Sequence, residues 1–177
     1  MKILDGKLLA KKLNDELSKK ILSYNNEYGR KPHLLVILVG DNPASQVYVK
    51  NKEKQAAEVG IKSTVIRLSK NVSENNLLEV IDEANANISV DSILVQLPLP
   101  NHINSNKVID RISIEKDVDG FNSKNIGLLA LGRPKVIPCT PLGCYKMLES
   151  ILDLKGKKVI ILGLSLIHIS EPTRLRS

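Results

Sequence analysis

Lys52 lies on the apolar side of its own helix. Residues 45–60 read as a helix in which, at about 100° per residue, Val49, Ala56 and Val59 form one apolar stripe. Ser45 and Lys52 fall within that stripe and Tyr48 falls at its edge, whereas Lys50 and Lys54 point to the opposite face. An ammonium turned inward costs free energy unless it is paired or does chemistry, and desolvation lowers an amine's pKa toward the range useful for proton transfer. A lysine at a helix edge more often packs its stem and lets its head reach water. Here Tyr48, one turn back, and Ser45, two turns back, project beside it, so three polar groups share a face.

Three further segments could supply chemistry. Val95-Gln96-Leu97-Pro98-Leu99-Pro100 places an amide at the end of a buried strand that two prolines stop, which on its own describes an ordinary strand terminus. Lys116-Asp117-Val118-Asp119-Gly120-Phe121 contains Asp-Gly turn chemistry but lacks the glycine position and late glutamate of a calcium loop. A carboxylate on such a loop can accept hydrogen bonds from an amino-pyrimidine type ring. Pro138-Cys139-Thr140-Pro141 places Thr140 to cap a helix with Pro141 in its first position, and a helix amino terminus can receive an anion. Cys139 and Cys144 have neither partner cysteines nor a histidine cluster, so neither a disulfide framework nor a metal site is expected.

The elements that must position these residues alternate along the chain. Leu9, Leu13, Leu17 and Ile21 keep helical spacing in a first helix that ends near Gly29, with Pro32 blocking continuation. Residues 34–39 are apolar on both faces, as a strand of a covered parallel sheet requires. The Lys52 helix follows, then a strand over 62–68, a helix over 73–87 with Ser73 as N-cap, a strand over 92–97, and a helix capped by Ser105 that runs to about Ile112. A second unit starts around Asn122, passes a helix over 142–152 and enters an apolar strand over 158–162. Repeated β-then-α order predicts a parallel sheet covered by helices on both faces, an α/β three-layer αβα arrangement. Ligands of such sheets bind outside the carboxyl ends of the strands, where Lys52 and Gln96 should meet.

With 177 residues, the chain has room for one domain, or one and a fragment. Hydrophobic content of 42% and charged content of 25% are ordinary for a soluble globular protein. The net charge of +7 suits anionic partners, but the basic residues are scattered and aromatics are only 3%, which disfavours a nucleic-acid-binding module. The amino terminus has no secretory apolar stretch, and residues 34–39 and 159–169 are too short or too interrupted to span a bilayer. A cytoplasmic location without membrane or nucleic-acid partners is the expectation.

The four segments, in this order and at these separations, resemble the bifunctional methylenetetrahydrofolate dehydrogenase/methenyltetrahydrofolate cyclohydrolase family. The resemblance runs from Lys2 to Gly163. It implies a folate-binding catalytic domain over residues 1–121, then a linker and the beginning of a Rossmann-type NAD(P)-binding domain over 122–163, with the active site between the domains. It further implies oxidation of 5,10-methylenetetrahydrofolate with NADP or NAD, hydrolysis of the methenyl product to 10-formyltetrahydrofolate, and assembly as a homodimer. By the same resemblance Lys52, Tyr48 and Gln96 are catalytic, and Ser45, Tyr48, Gln96, Leu97, Pro98 and Asp119 hold the folate, with Asp119 on the pterin. Thr140, Pro141, Gly163 and Ser165 then touch the cofactor, and no metal is involved.

After Gly163 the pattern breaks, because Leu164 stands where the family has an arginine and residues 166–177 do not continue it. The expectation is a truncated copy whose residues 164–177 are foreign to the family, lacking most of the cofactor domain and hence dehydrogenase activity. A non-catalytic remnant that folds or binds folate without turnover is the alternative.

Overall fold

The computed structural model describes residues 3–158 and residue 160. Its elements follow the order α1 (Gly6–Tyr28), β1 (His33–Val39), α2 (Pro43–Val59), β2 (Lys62–Leu68), α3 (Glu74–Ala86), β3 (Ser92–Val95), α4 (Ser105–Arg111), α5 (Ser123–Ala130) and α6 (Cys139–Glu149). The strands form one parallel sheet in the order β2-β1-β3. β1 is therefore central, and all of it except Leu34 is buried, which accounts for its unbroken apolar run.

The pleat sends alternate residues of β1 into two cores. Leu35, Ile37 and Val39 pack with Leu77 and Ile81 of α3 and Val108 of α4. Val36 and Leu38 pack on the other face with Val49 of α2. Helices thus cover both faces of the sheet, giving the α/β three-layer αβα arrangement expected from the sequence.

The long helices end where local chemistry stops them. Gly29 and Gly60 cap α1 and α2 in the left-handed conformation, and Ser73 caps α3 by accepting from the Asn76 N–H. Several expected boundaries move. α2 begins at Pro43 rather than Ser45, because the Asn42 side chain caps it and a proline in the first position gives up no intrahelical bond. β3 stops at Val95, two residues early, ahead of Pro98, which has no N–H to extend the ladder. Asn104, not Ser105, caps α4, its side chain accepting from the N–H groups of Asn106 and Lys107. α5, capped by Asn122, is an element the sequence reading lacks; its apolar residues Ile126, Leu128 and Leu129 span too short a stretch to show a helical period.

α6 corrects the expectation for Thr140. The helix starts at Cys139 with Pro138 in the N-cap position and no side-chain cap bond, so Thr140 lies inside the first turn. Pro141 is tolerated there because first-turn N–H groups have no intrahelical acceptor. The expected strand over 158–162 lies almost wholly outside the described residues, as do Gly163, Ser165 and the rest of the 164–177 tail. No helix of the described residues is long and apolar enough to cross a membrane.

Candidate active site

At the carboxyl end of β1 the chain turns through Gly40, whose φ of +80° and close approach to Lys70 suit glycine. The Gly40 N–H donates to the Leu68 carbonyl (2.9 Å), and Asn42 Oδ1 accepts from the Ser45 N–H (3.1 Å), so α2 starts from a fixed point. α2 then presents Ser45, Tyr48 and Lys52 at one-turn intervals. Ser45 is buried and Lys52 half-buried, but Tyr48 is 62% exposed. The ring of Tyr48 thus faces outward from the stripe edge, where its hydroxyl can stay hydrated, and makes no hydrogen bond among the described residues.

Lys52 Nζ donates to Gln96 Oε1 at 3.2 Å across 44 residues of sequence. The orientation of that amide is set from its other side, since Gln96 Nε2 donates to the Leu97 carbonyl at 2.7 Å. The Gln96 backbone N–H donates to the Ile37 carbonyl (2.9 Å), anchoring the residue one step past β3 to the central strand. Leu97 is half-buried and Pro98 exposed beside it.

Asp119 shares a narrow apolar crevice with Val95, Leu97 and Phe121. Burial pushes its carboxyl above the ordinary aspartate range; the nearby Lys52 charge opposes that rise and the Asp117 carboxylate adds to it. Lys52, Gln96 and Asp119 therefore come together from α2, the end of β3 and the loop after α4. Cys139 joins them. Although the residue as a whole is exposed, its sulfur tucks against the Val118 carbonyl (4.0 Å), and its thiol is pushed up by burial and by Asp119, with Lys52 opposing. The sequence assigns Cys139 neither a disulfide nor a metal role and gives it no place in the site; its position beside Thr140 in the Pro-Cys-Thr-Pro segment is the available signal. Thr140 is exposed and Pro141 half-buried at the start of α6, so both sit next to Cys139.

A wider depression lined by Arg30, Lys31, His33 and Lys62 sits at the amino ends of the strands, the end of the sheet opposite this cluster. Among the described residues no three His, Cys, Asp or Glu side chains are grouped to hold a metal ion.

The strained carboxyl has a consequence for stability. Asp119 binds its proton more tightly in the folded chain than at the ordinary value of 3.8, so its contribution is fully present below that value and lost as pH rises through the folded pKa. Asp119→Asn should therefore melt at a higher temperature than the wild type at pH 7, with the difference closing near pH 3.5. Thermal melts at the two pH values check this, and a variant that melts lower at neutral pH would contradict the burial argument.

The model of the tetrahydrofolate dehydrogenase/cyclohydrolase catalytic domain matches residues 4–119, an interval that contains Ser45, Tyr48, Lys52, Gln96 and Asp119. The chain belongs to this family. The bifunctional protein FolD of Streptococcus uberis is 51% identical over 164 residues, covering 92% of this chain and 58% of the relative. The crystal structure of the bifunctional FolD methylenetetrahydrofolate dehydrogenase/cyclohydrolase from Campylobacter jejuni superposes with a TM-score of 0.82 at 48% identity, covering 85% of this chain and 53% of that one. The Trypanosoma brucei N5,N10-methylenetetrahydrofolate dehydrogenase-cyclohydrolase, solved with its NADP cofactor and an inhibitor, superposes with a TM-score of 0.81 at 34% identity and covers 86% of this chain and 53% of that one. The chain thus spans little more than half the length of these relatives.

Proposed function

We propose that this chain carries the folate-binding catalytic domain of an enzyme of one-carbon metabolism that oxidises 5,10-methylenetetrahydrofolate to the methenyl form and hydrolyses that form to 10-formyltetrahydrofolate. The observation that carries the reading is the Lys52–Gln96 hydrogen bond beside Asp119 at the carboxyl ends of the strands, the side of a parallel sheet where ligands bind. On this reading residues 1–121 form the folate domain and residues 122–163 begin the cofactor domain.

Hydrolysis adds water to the amidinium-like carbon between the two folate nitrogens. The water gives up a proton as its oxygen bonds to that carbon; the bond from carbon to N5 then breaks as N5 takes a proton and the new hydroxyl loses its own to become the formyl carbonyl, so one proton is released overall. On this reading Lys52 accepts and returns those protons, and the 3.2 Å bond from its Nζ to Gln96 supports the assignment. Asp119 accepts hydrogen bonds from the amino-pyrimidine edge of the pterin, while Ser45, Tyr48, Leu97 and Pro98 border the folate.

NADP, or NAD in its place, accepts the hydride of the dehydrogenase step when bound. The start of α6 fits such a cofactor, because no side chain caps it and the N–H groups of Cys139 and Thr140 remain to meet an anion, next to exposed Thr140 and half-buried Pro141. The cofactor roles of Gly163 and Ser165, which lie outside the described residues, rest on the family resemblance alone. A homodimeric assembly, a cytoplasmic location and a supply of one-carbon units to purine, methionine and histidine biosynthesis rest on the family resemblance alone.

Titration of the chain with 5-formyltetrahydrofolate tests the proposal. Saturable heat is expected, and Asp119→Ala should weaken binding by about 1.5–3 kcal/mol, the scale of hydrogen bonds to a charged group. Unchanged affinity in the variant would return Asp119 to an ordinary turn residue, and absence of binding by the wild type would overturn the folate assignment.

A further inference from the structure

The loop that carries Asp119 is built around another carboxylate. Asp117 is only 2% exposed. Its Oδ1 accepts from the Gly120 N–H (3.0 Å), and its Oδ2 accepts from the Asn122 N–H (2.9 Å) and from Asn125 Nδ2 (2.8 Å). Three donors hold it and no cation pairs with it among the described residues. Burying a carboxylate on neutral donors is costly, and a plain Asp-Gly turn does not require it.

The same loop is tied to every neighbouring element. Ile93 of β3 bridges to Asp117, and its N–H donates to the Lys116 carbonyl (2.8 Å). Lys116 Nζ donates to the Ala84, Asn85 and Asn87 carbonyls at 3.0, 2.8 and 2.8 Å, closing the end of α3. Asn122 Nδ2 donates to the Ile112 carbonyl (3.0 Å) just past α4. Gly120 turns at φ +69°, and a Cβ there would stand 3.3 Å from Val136 and Pro138. What this clamped turn presents is Asp119, on the crevice that Asp117 also lines.

We propose that Asp117 is a positioning residue, its buried carboxylate fixing residues 117–122 so that Asp119 faces Lys52 and the folate. The inference rests on the site reading given above. Removing the negative charge while keeping the volume should let Asp119 drift from its place. The charged and titratable groups that bear on Asp119 are Lys52 of α2, Asp117 of its own loop and Cys139 of α6. Loss of the Asp117 charge and looser burial both act to lower the titration midpoint of Asp119.

The test uses the full chain, with 5-formyltetrahydrofolate as the titrant and carboxyl 13C NMR to follow Asp119. Asp117→Asn retains one acceptor but sets an amide NH2 against the Asn122 and Asn125 donors. It is expected to raise the dissociation constant at least 10-fold and to move the Asp119 midpoint down, whereas Ile81→Val, a core truncation outside the loop, changes neither at a comparable loss of melting temperature. A folded Asp117→Asn protein with wild-type affinity and an unmoved Asp119 midpoint would overturn the proposal. Should that variant fail to fold, Asn125→Ser, which keeps the charge and removes one donor, is expected to shift both readouts in the same directions by less, and no shift in either overturns it. If the wild type does not bind the folate, the functional reading falls, and the Asp119 titration in Asn125→Ser, which keeps the Asp117 charge, still decides whether the donors around Asp117 hold Asp119 in place.

Discussion

On the function proposed above, replacing Lys52 with alanine or glutamine in a full-length enzyme that carries this domain is expected to abolish hydrolysis of methenyltetrahydrofolate while leaving the domain folded. The proton-carrying group contributes roughly 100- to 10,000-fold in such reactions, so the residual rate should fall by at least about 100-fold. The fold should tolerate the change because Lys52 is only half-buried and, among the described residues, its side chain bonds to Gln96 alone, whose amide remains held by the Leu97 carbonyl. Losing one such bond costs about 1 kcal/mol. Decay of methenyl absorbance, read beside a thermal melt, checks both halves of the expectation. Near-normal hydrolysis by a folded Lys52→Ala protein would remove Lys52 from the mechanism and leave its bond to Gln96 a structural one.

The interior of the fold was legible because its signals are local. The apolar run of β1 could only be a strand buried on both faces, Gly29 and Gly60 mark helix ends by their conformational freedom, and Ser73 is a cap followed by a helical period. The misplaced boundaries fall where two residues compete for one role. Asn104 and Ser105 are both good caps, and which one wins depends on how α4 meets α3, where Glu74 accepts from the Asn104 N–H at 2.8 Å. Pro138 and Pro141 both suit a helix start, and the earlier one takes the N-cap position.

For the site, the helical face singled out Lys52 without any knowledge of its partner. The general rule about strand ends brings Gln96 to the end of the sheet that Lys52 occupies, but its part as the acceptor comes from the family resemblance, since the helical face and the strand end do not by themselves encode a contact across 44 residues. Tyr48 shows the limit of the helical wheel, which places it at the stripe edge but cannot say that the ring turns to solvent. The division of labour between Asp117 and Asp119 was also hidden, because two aspartates in one turn look alike until the buried donors of Asn122 and Asn125 are seen around the first.

The largest loss of stability should come from Ile37, at the centre of the middle strand. Its side chain is fully buried among Leu77, Ile81 and Val95, with α3 closing over it, so Ile37→Ala leaves a cavity that close-packed neighbours on α3 and β3 cannot fill. Truncations of this kind cost about 2–5 kcal/mol, against a total of roughly 5–15 kcal/mol for a domain. Leu22→Ala on α1, where the side chain is 62% exposed, should stay within about 0.5 kcal/mol and serves as the comparison. The two effects of Ile37 on the site separate cleanly: its carbonyl accepts from the Gln96 N–H whatever side chain it carries, so folate affinity measured at a temperature where the variant is folded should change little. Urea denaturation gives the stability and titration gives the affinity. A loss below about 1 kcal/mol would mean that the core packs elsewhere than between β1 and α3, whereas a large loss of affinity in the folded variant would show that the position of Gln96 depends on the packing beneath it.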